Sequence, residues 1–274
     1  MAEGEKMTFF RMLKSDFRRL FQAKNFYFVV LLVAFITAVG LVPDIWVYRS
    51  SLSVFGLVQF HGSATSFFLI MTVLAAFPFG LSYREDVRHN YIHGIISRVG
   101  DSAYCWSHVI VTATGAFLAV FLGYALCYLV MGLFFPMIHG EEAEALLKSS
   151  RNVYTDLMLG PMPVLYFVCA ISTEAVGYAF LAVFALMLSP KIENPFVLLS
   201  SPALFYYGSV VACGVLELHG IARWYNILSR GGWLAEKIAD IRFLMPCVFL
   251  YFGSLICLEG LVFLSWVERR RIHG

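Results

Sequence analysis

Charge is what this chain has least of. Asp, Glu, Lys and Arg make up 14% of its 274 residues, against about 25% in an ordinary soluble domain. Disorder is excluded, since it needs high charge with low hydrophobicity. The complement is 60% apolar residues and a mean hydropathy of +0.76, more than a soluble globule of this length can bury. A formal net charge of +2 offers no basic surface for nucleic acid. Six cysteines form no CxxC pair, and most sit in apolar runs, so they read as small hydrophobes rather than disulfides or metal ligands. Motifs of catalysis are missing as well. There is no GxxxxGK[ST] to cradle ATP phosphates, no HExxH and no GxSxG. His89 and His93 share a helical face without a fixed acidic partner, so no metal site is expected. The chain is not read as an enzyme, and it binds no cofactor of its own.

What is present is long apolar sequence. Six runs stand out: Phe26–Val42, Ser63–Leu81, Ser107–Phe135, Val164–Leu188, Phe196–Leu216 and Leu244–Val267. About 20 apolar residues cross a bilayer as a helix. Only helices and closed barrels satisfy the backbone in lipid, and these runs are too long for barrel strands. The expected fold is therefore all-α: a polytopic membrane protein of six transmembrane helices. Residues 1–25 form a cytoplasmic interface helix, 26–267 the transmembrane domain and 268–274 a basic cytoplasmic tail. Placing both termini inside gives thirteen Lys and Arg to the cytoplasmic segments and seven to the outer ones, as the positive-inside rule requires.

The polar segments carry their own patterns. Phe9, Phe10, Leu13, Phe17, Leu20 and Phe21 fall on one arc of a helical wheel, and Arg11, Lys14, Arg18, Arg19 and Gln22 on the other side. This predicts an amphipathic helix lying in the interface plane against lipid, with Arg11, Lys14, Phe17, Arg18 and Phe21 at the boundary. The loop after the second run predicts a short cytoplasmic helix over Tyr83–Ser97, broken by Val99-Gly100-Asp101. Outer segments 136–163 and 217–242 are longer than a plain connection needs; the second holds Trp224, Tyr225 and Gly231-Gly232 and is suited to dip into the outer leaflet. Two carboxylates fall within runs, Glu174 and Glu259. An ionisable group there is costly and marks a functional hypothesis. For Glu174 a structural hydrogen bond and a wet cavity both stay open; Glu259 is read as structural.

These features together resemble the permease subunit of a type-2 ATP-binding-cassette exporter. The resemblance is carried by the in-plane helix over Met7–Lys24, the six spans, the re-entrant-like segment between the last two, and a local pattern. That pattern is Phe77-Pro78-Phe79-Gly80 closing the second run, then Glu85, Gly94, Ile95-Ile96-Ser97-Arg98 and Tyr104. It covers nearly the whole chain, although Val99-Gly100 replaces the proline usual after the serine-arginine pair. The resemblance implies a partner ATPase holding ATP and Mg, and a second permease copy, identical or not. It implies a coupling helix over about 83–98, with Glu85, Asp86, Arg88 and Arg98 at the ATPase contact. It also implies a path along the second and fifth spans, for which Ser66, Phe67, Met71, Glu174 and Phe205 are candidates. An apolar aromatic lining suits a hydrophobic or amphipathic substrate: a lipid, drug or peptide. The expected location is the plasma membrane of a bacterium.

Two other classes compete. An ion-coupled secondary transporter would show inverted repeats and broken midplane helices. An intramembrane enzyme or non-transporting partner would show convergent polar residues within its spans. The sequence displays neither pattern.

Overall fold

The computed structural model describes residues 3–48, 52–61, 65–141, 163–219, 224–228 and 240–273, with isolated positions between them. Among the described residues every regular element is a helix: α1 Glu3–Gln22, α2 Lys24–Tyr48, α3 Val54–His61, α4 Thr65–Ala76, α5 Ser82–Arg88, α6 Tyr91–Val99, α7 Asp101–Met131, α8 Pro163–Leu188, α9 Pro195–Val215, α10 Tyr225–Leu228 and α11 Ile241–His273. Five are long and apolar enough to cross a membrane: α2, α7, α8, α9 and α11. Five of the six expected runs correspond to them: three lie wholly inside, while Ser107–Phe135 and Phe196–Leu216 run past the ends of α7 and α9, at Met131 and Val215. The second run differs. Its described helix, α4, has 12 residues, or about 18 Å at 1.5 Å per residue, against a hydrocarbon core of about 30 Å.

Burial sorts the long helices. The apolar window of α8 is 83% buried, while those of α2, α9 and α11 are each 28% buried. So α8 is the central post, packed against α7, α11, α4 and α9. The other three turn most of their apolar surface outward, which in water would be an association hazard and in lipid is ordinary. A small residue permits one close crossing. A Cβ on Gly123 of α7 would lie 2.4 Å from Val33 Cγ1 and 3.0 Å from the Val30 carbonyl oxygen, so α2 can approach α7 this closely only because position 123 has no side chain.

Local chemistry sets the helix ends. Asn194 accepts from the Phe196 N–H at 2.9 Å, and Pro195 follows as the first residue of α9, the favoured N-cap and N1 pairing. The loop helix expected over Tyr83–Ser97 is two helices. Asn90 separates α5 from α6 with φ 56° and ψ 22°, a left-handed conformation that asparagine tolerates better than most residues. Gly100, at φ 81°, then turns the chain into α7.

Two ends of the bundle can be traced. At one, Val54 N–H donates to the Pro136 carbonyl at 2.9 Å and Phe55 N–H to that of Met137 at 3.1 Å, so the start of α3 meets the segment after α7. At the other, Arg19 bonds Glu85 and Asp86, Arg271 bonds Asp101 at 2.8 Å, and Arg270 donates to the Pro190 carbonyl at 2.9 Å. The end of α1, helix α5, the start of α7, the end of α8 and the end of α11 therefore converge. We call this the basic end.

Candidate functional site

The basic end is built around a polar cluster from three elements. Helix α1 supplies Asp16 and Arg19, α5 supplies Ser82, Glu85 and Asp86, and α7 supplies Tyr104, Ser107 and His108. Arg19 forks across two neighbouring carboxylates. Its Nη1 lies 2.8 Å from Asp86 Oδ1, and its Nη2 3.0 Å from Glu85 Oε2. Asp86 is 2% exposed and accepts a second bond, from the Tyr104 hydroxyl at 2.9 Å. A buried carboxylate is tolerable only when paired and hydrogen-bonded, and Asp86 has both conditions met.

His108, fully buried, sits at the centre. Its Nδ1 is 2.8 Å from Ser82 Oγ. Its Nε2 lies 3.4 Å from Asp86 Oδ2 and 3.9 Å from Asp16 Oδ2 but makes no aligned hydrogen bond. Asp16 accepts from Ser107 Oγ and is otherwise enclosed. Burial pushes the Asp16 carboxyl from 3.8 up to about 6, and the Asp86 charge adds to the rise, while the Ser107 bond and Arg19 oppose it. The cluster thus ties α1 to both the loop helix and α7. Below it Leu20, fully buried, lies against Gly115, where a Cβ would come within 3.0 Å of the leucine.

The sequence-derived residues take distinct places around this cluster. Glu85 is exposed and sits at its rim; Asp86 lies inside it. Arg88 and Arg98 are exposed, and Arg98 lines a shallow groove of about 420 Å³ with Tyr91, Gly94 and Ile95. On α1, Arg11, Lys14, Arg18 and Phe21 are exposed and Phe17 is half-buried, stacked on Phe21 at 6.1 Å. The apolar arc of that helix is divided. Leu20 packs inward, while Phe10 stays 64% exposed.

Three of the five path candidates have described side chains. The side chains of Ser66 and Phe67 lie outside the described residues. Met71 is buried in the core. Glu174 is half-buried on α8, close to Tyr178 and Tyr124. Phe205 stacks between Phe184 at 4.3 Å and Trp224 at 5.7 Å. An apolar groove of about 440 Å³ does run between α2, α4 and α9, but its walls are other residues, among them Phe28, Leu32, Phe77, Phe196 and Leu199. Much of the two outer segments, including Gly231-Gly232, lies outside the described residues. Of the second, Trp224 is 6% exposed and Ile227 fully buried; Trp224 packs inward on Phe180, Phe205 and Tyr206, while Glu217, Leu218 and His219 stay exposed.

Sequence reading missed Asp16, Ser82, Ser107 and His108. One signal was available. Asp16 is the sole acid between Met7 and Lys24, and on the wheel it borders the apolar arc rather than facing the basic side. A lone carboxylate beside an apolar stripe needs a partner on whatever the stripe packs against. The chain matches no protein-family model, no curated protein and no solved structure.

Proposed function

We propose that the chain is the membrane-spanning permease subunit of an ATP-driven exporter of the type-2 ATP-binding-cassette kind, working as a pair of permease subunits with a separate cytosolic ATPase. The observation that carries this reading is the Arg19 fork onto Glu85 and Asp86. A lone loop helix pushed by a partner would simply bend its connections. Here the push on α5 and α6 is passed at once to α1 through Arg19 and to α7 through Tyr104 and His108. The exposed residues of this face, Glu85, Arg88 and Arg98, are the ATPase contact. ATP and Mg belong to that partner.

Six crossings are part of the proposal. Supporting them, α2 starts beside the basic end, where Ala23 and Asn25 line a small pocket with Arg19, Phe79 and Glu85. The chain then reaches the opposite end by Val54 and is back beside Arg19 at Phe79. The return is made by α3 and α4 together. The basic end faces the cytoplasm, since Arg88, Arg98, Lys191 and Arg269–Arg271 gather on its side. Helix α1 lies at that surface, with Phe10 and Phe21 toward lipid and Arg11, Lys14 and Arg18 toward head groups. The cargo is a hydrophobic or amphipathic molecule in a bacterial plasma membrane.

The test is purification of the tagged chain from its own membranes in mild detergent, with mass spectrometry of what accompanies it. A P-loop ATPase in near-equal amount is expected, and Arg98→Glu or Glu85→Lys should reduce its recovery severalfold. Recovery of no P-loop protein, or recovery untouched by both changes and by deletion of residues 7–24, would overturn the reading.

A further inference from the structure

A second cavity at the basic end lies apart from the polar cluster. It occupies about 230 Å³ between the loop helices and the end of α11, and it is lined by Tyr83, Ile92, His93, Ile96, Arg270 and Arg271. Its construction is two-sided. Tyr83 and Ile96 are buried and make an apolar floor. The two guanidinium groups stand above it, with side chains 40% and 51% exposed, and the exposed ring of His93 closes the third side.

Both arginines are held in place. Arg270 donates to the Pro190 carbonyl at 2.9 Å, and its Nη2 is 3.8 Å from the largely exposed Glu193. The Arg271 Nη1 is 2.8 Å from Asp101. The Arg270 charge also lies against the Tyr83 hydroxyl. A guanidinium has five N–H donors in a planar fork, and these contacts use a minority of them. Two pre-positioned forks over an apolar floor match one ligand chemistry in particular: a phosphate whose ester carbons are apolar. Basic pockets between helices at the cytoplasmic surface take lipid head groups in this way.

We propose that this cavity binds the phosphate of an anionic phospholipid of the adjacent leaflet, with Arg270 and Arg271 on the phosphate oxygens and the glycerol carbons on Tyr83 and Ile96. The bound lipid would join α6 to the end of α11, two elements otherwise linked here mainly by apolar packing around Phe263 and Val267. The site needs only that the basic end meets a leaflet surface, whether or not the chain transports anything.

The experiment is thermal unfolding of the purified full chain in a neutral detergent, titrated with phosphatidylglycerol, with phosphatidylcholine or with inorganic phosphate. Phosphatidylglycerol should raise Tm saturably, and phosphatidylcholine should not. Arg270→Gln and Arg271→Gln should each weaken the apparent affinity about tenfold or more. Arg269→Gln removes the same charge one residue away, outside the cavity lining, and should leave affinity within about twofold. Should Arg270→Gln fail to fold, His93→Glu serves instead: it sets a carboxylate at the mouth and should abolish the phosphatidylglycerol response. Equal losses in Arg269→Gln and Arg271→Gln would mean general surface attraction and would overturn the site. Inorganic phosphate reproducing the full effect would overturn the lipid assignment. Retention of the response in Arg271→Gln and His93→Glu would overturn both.

Discussion

Asp16→Asn isolates the least comfortable group of the polar cluster. The wild-type carboxyl is 3% exposed, and burial lifts it from 3.8 to about 6. That rise corresponds to about 3 kcal/mol of preference for the neutral acid in the folded chain. The sign follows from linkage. Between pH 4 and 6 the folded state holds a proton that the unfolded state has released, so stability falls as pH rises through this window and stays at the lower level above it. At pH 8 the folded chain therefore carries an ionised, poorly solvated Asp16 facing Asp86 and His108, with Arg19 engaged by Glu85 and Asp86. Asparagine keeps an oxygen for Ser107 and removes the charge. The variant should be more stable than wild type at pH 8, by up to about 3 kcal/mol and a few degrees in Tm, and by only about 1 kcal/mol at pH 4.5, where the unfolded carboxyl is already mostly ionised and the folded one is not. The measurement is Tm of the two purified proteins in one detergent from pH 4.5 to 8. Only their difference is read, so other titrating groups cancel. A variant less stable than wild type at pH 8, or a difference that does not change with pH, would refute the reasoning and show the ionised carboxylate to be net attractive where it sits.

Further outcomes follow from the same geometry. Arg19→Gln should cost about 1–3 kcal/mol, less than a fully buried pair because Arg19 is 40% exposed, whereas Glu85→Gln, with its carboxylate 57% exposed, should cost under about 1 kcal/mol; chemical denaturation that reverses this order would dismiss Asp86 as the main partner. Gly123→Ala should destabilise by about 1–3 kcal/mol through the 2.4 Å overlap with Val33. Val33→Ala in the same chain should restore only part of the loss, because Val33 Cβ stays 2.7 Å away, and a neutral single change would show that α2 is free to shift. Phe205→Ala should cost about 1–3 kcal/mol in thermal unfolding, less than the loss of a fully buried ring, since Phe205 is half-buried and stacks with Phe184 and Trp224; a Tm unchanged from wild type would argue that this cluster is loose.

The helices were legible because lipid-length apolar runs have few other solutions. Five of the six runs correspond to span-length helices, though two of them overrun a helix end, at Met131 and at Val215. The second was less legible for a physical reason. Composition counts apolar residues but does not register a break, and Ser63–Leu81 reads as one run whose described helix covers only Thr65–Ala76. The loop between the second and third runs was readable as helical but not as two helices, because a single left-handed asparagine leaves almost no trace in a hydropathy pattern. The polar cluster was least legible. Asp86 looks like any charge in a cytoplasmic loop, and its burial depends on Arg19 lying 67 residues earlier. His108 reads as a polar residue at a helix mouth until Ser82, 26 residues away, meets its ring. Such partnerships join distant stretches of chain, and window-based patterns contain no distances of that kind.

The convergence at the basic end also orders the making of the protein. Arg19 must wait for Asp86, and Asp16 for Ser107, which follows it by 91 positions. Asp101 must wait for Arg271, and Pro190 for Arg270. During synthesis α1 emerges long before its anchor, and the opening of α7 holds an unmatched carboxylate until the final long helix has been inserted. Translation thus proceeds with this surface open and closes it in two stages, first around α7 and then around α11. A chain stopped before α11 would leave Asp101 at the start of α7 without Arg271.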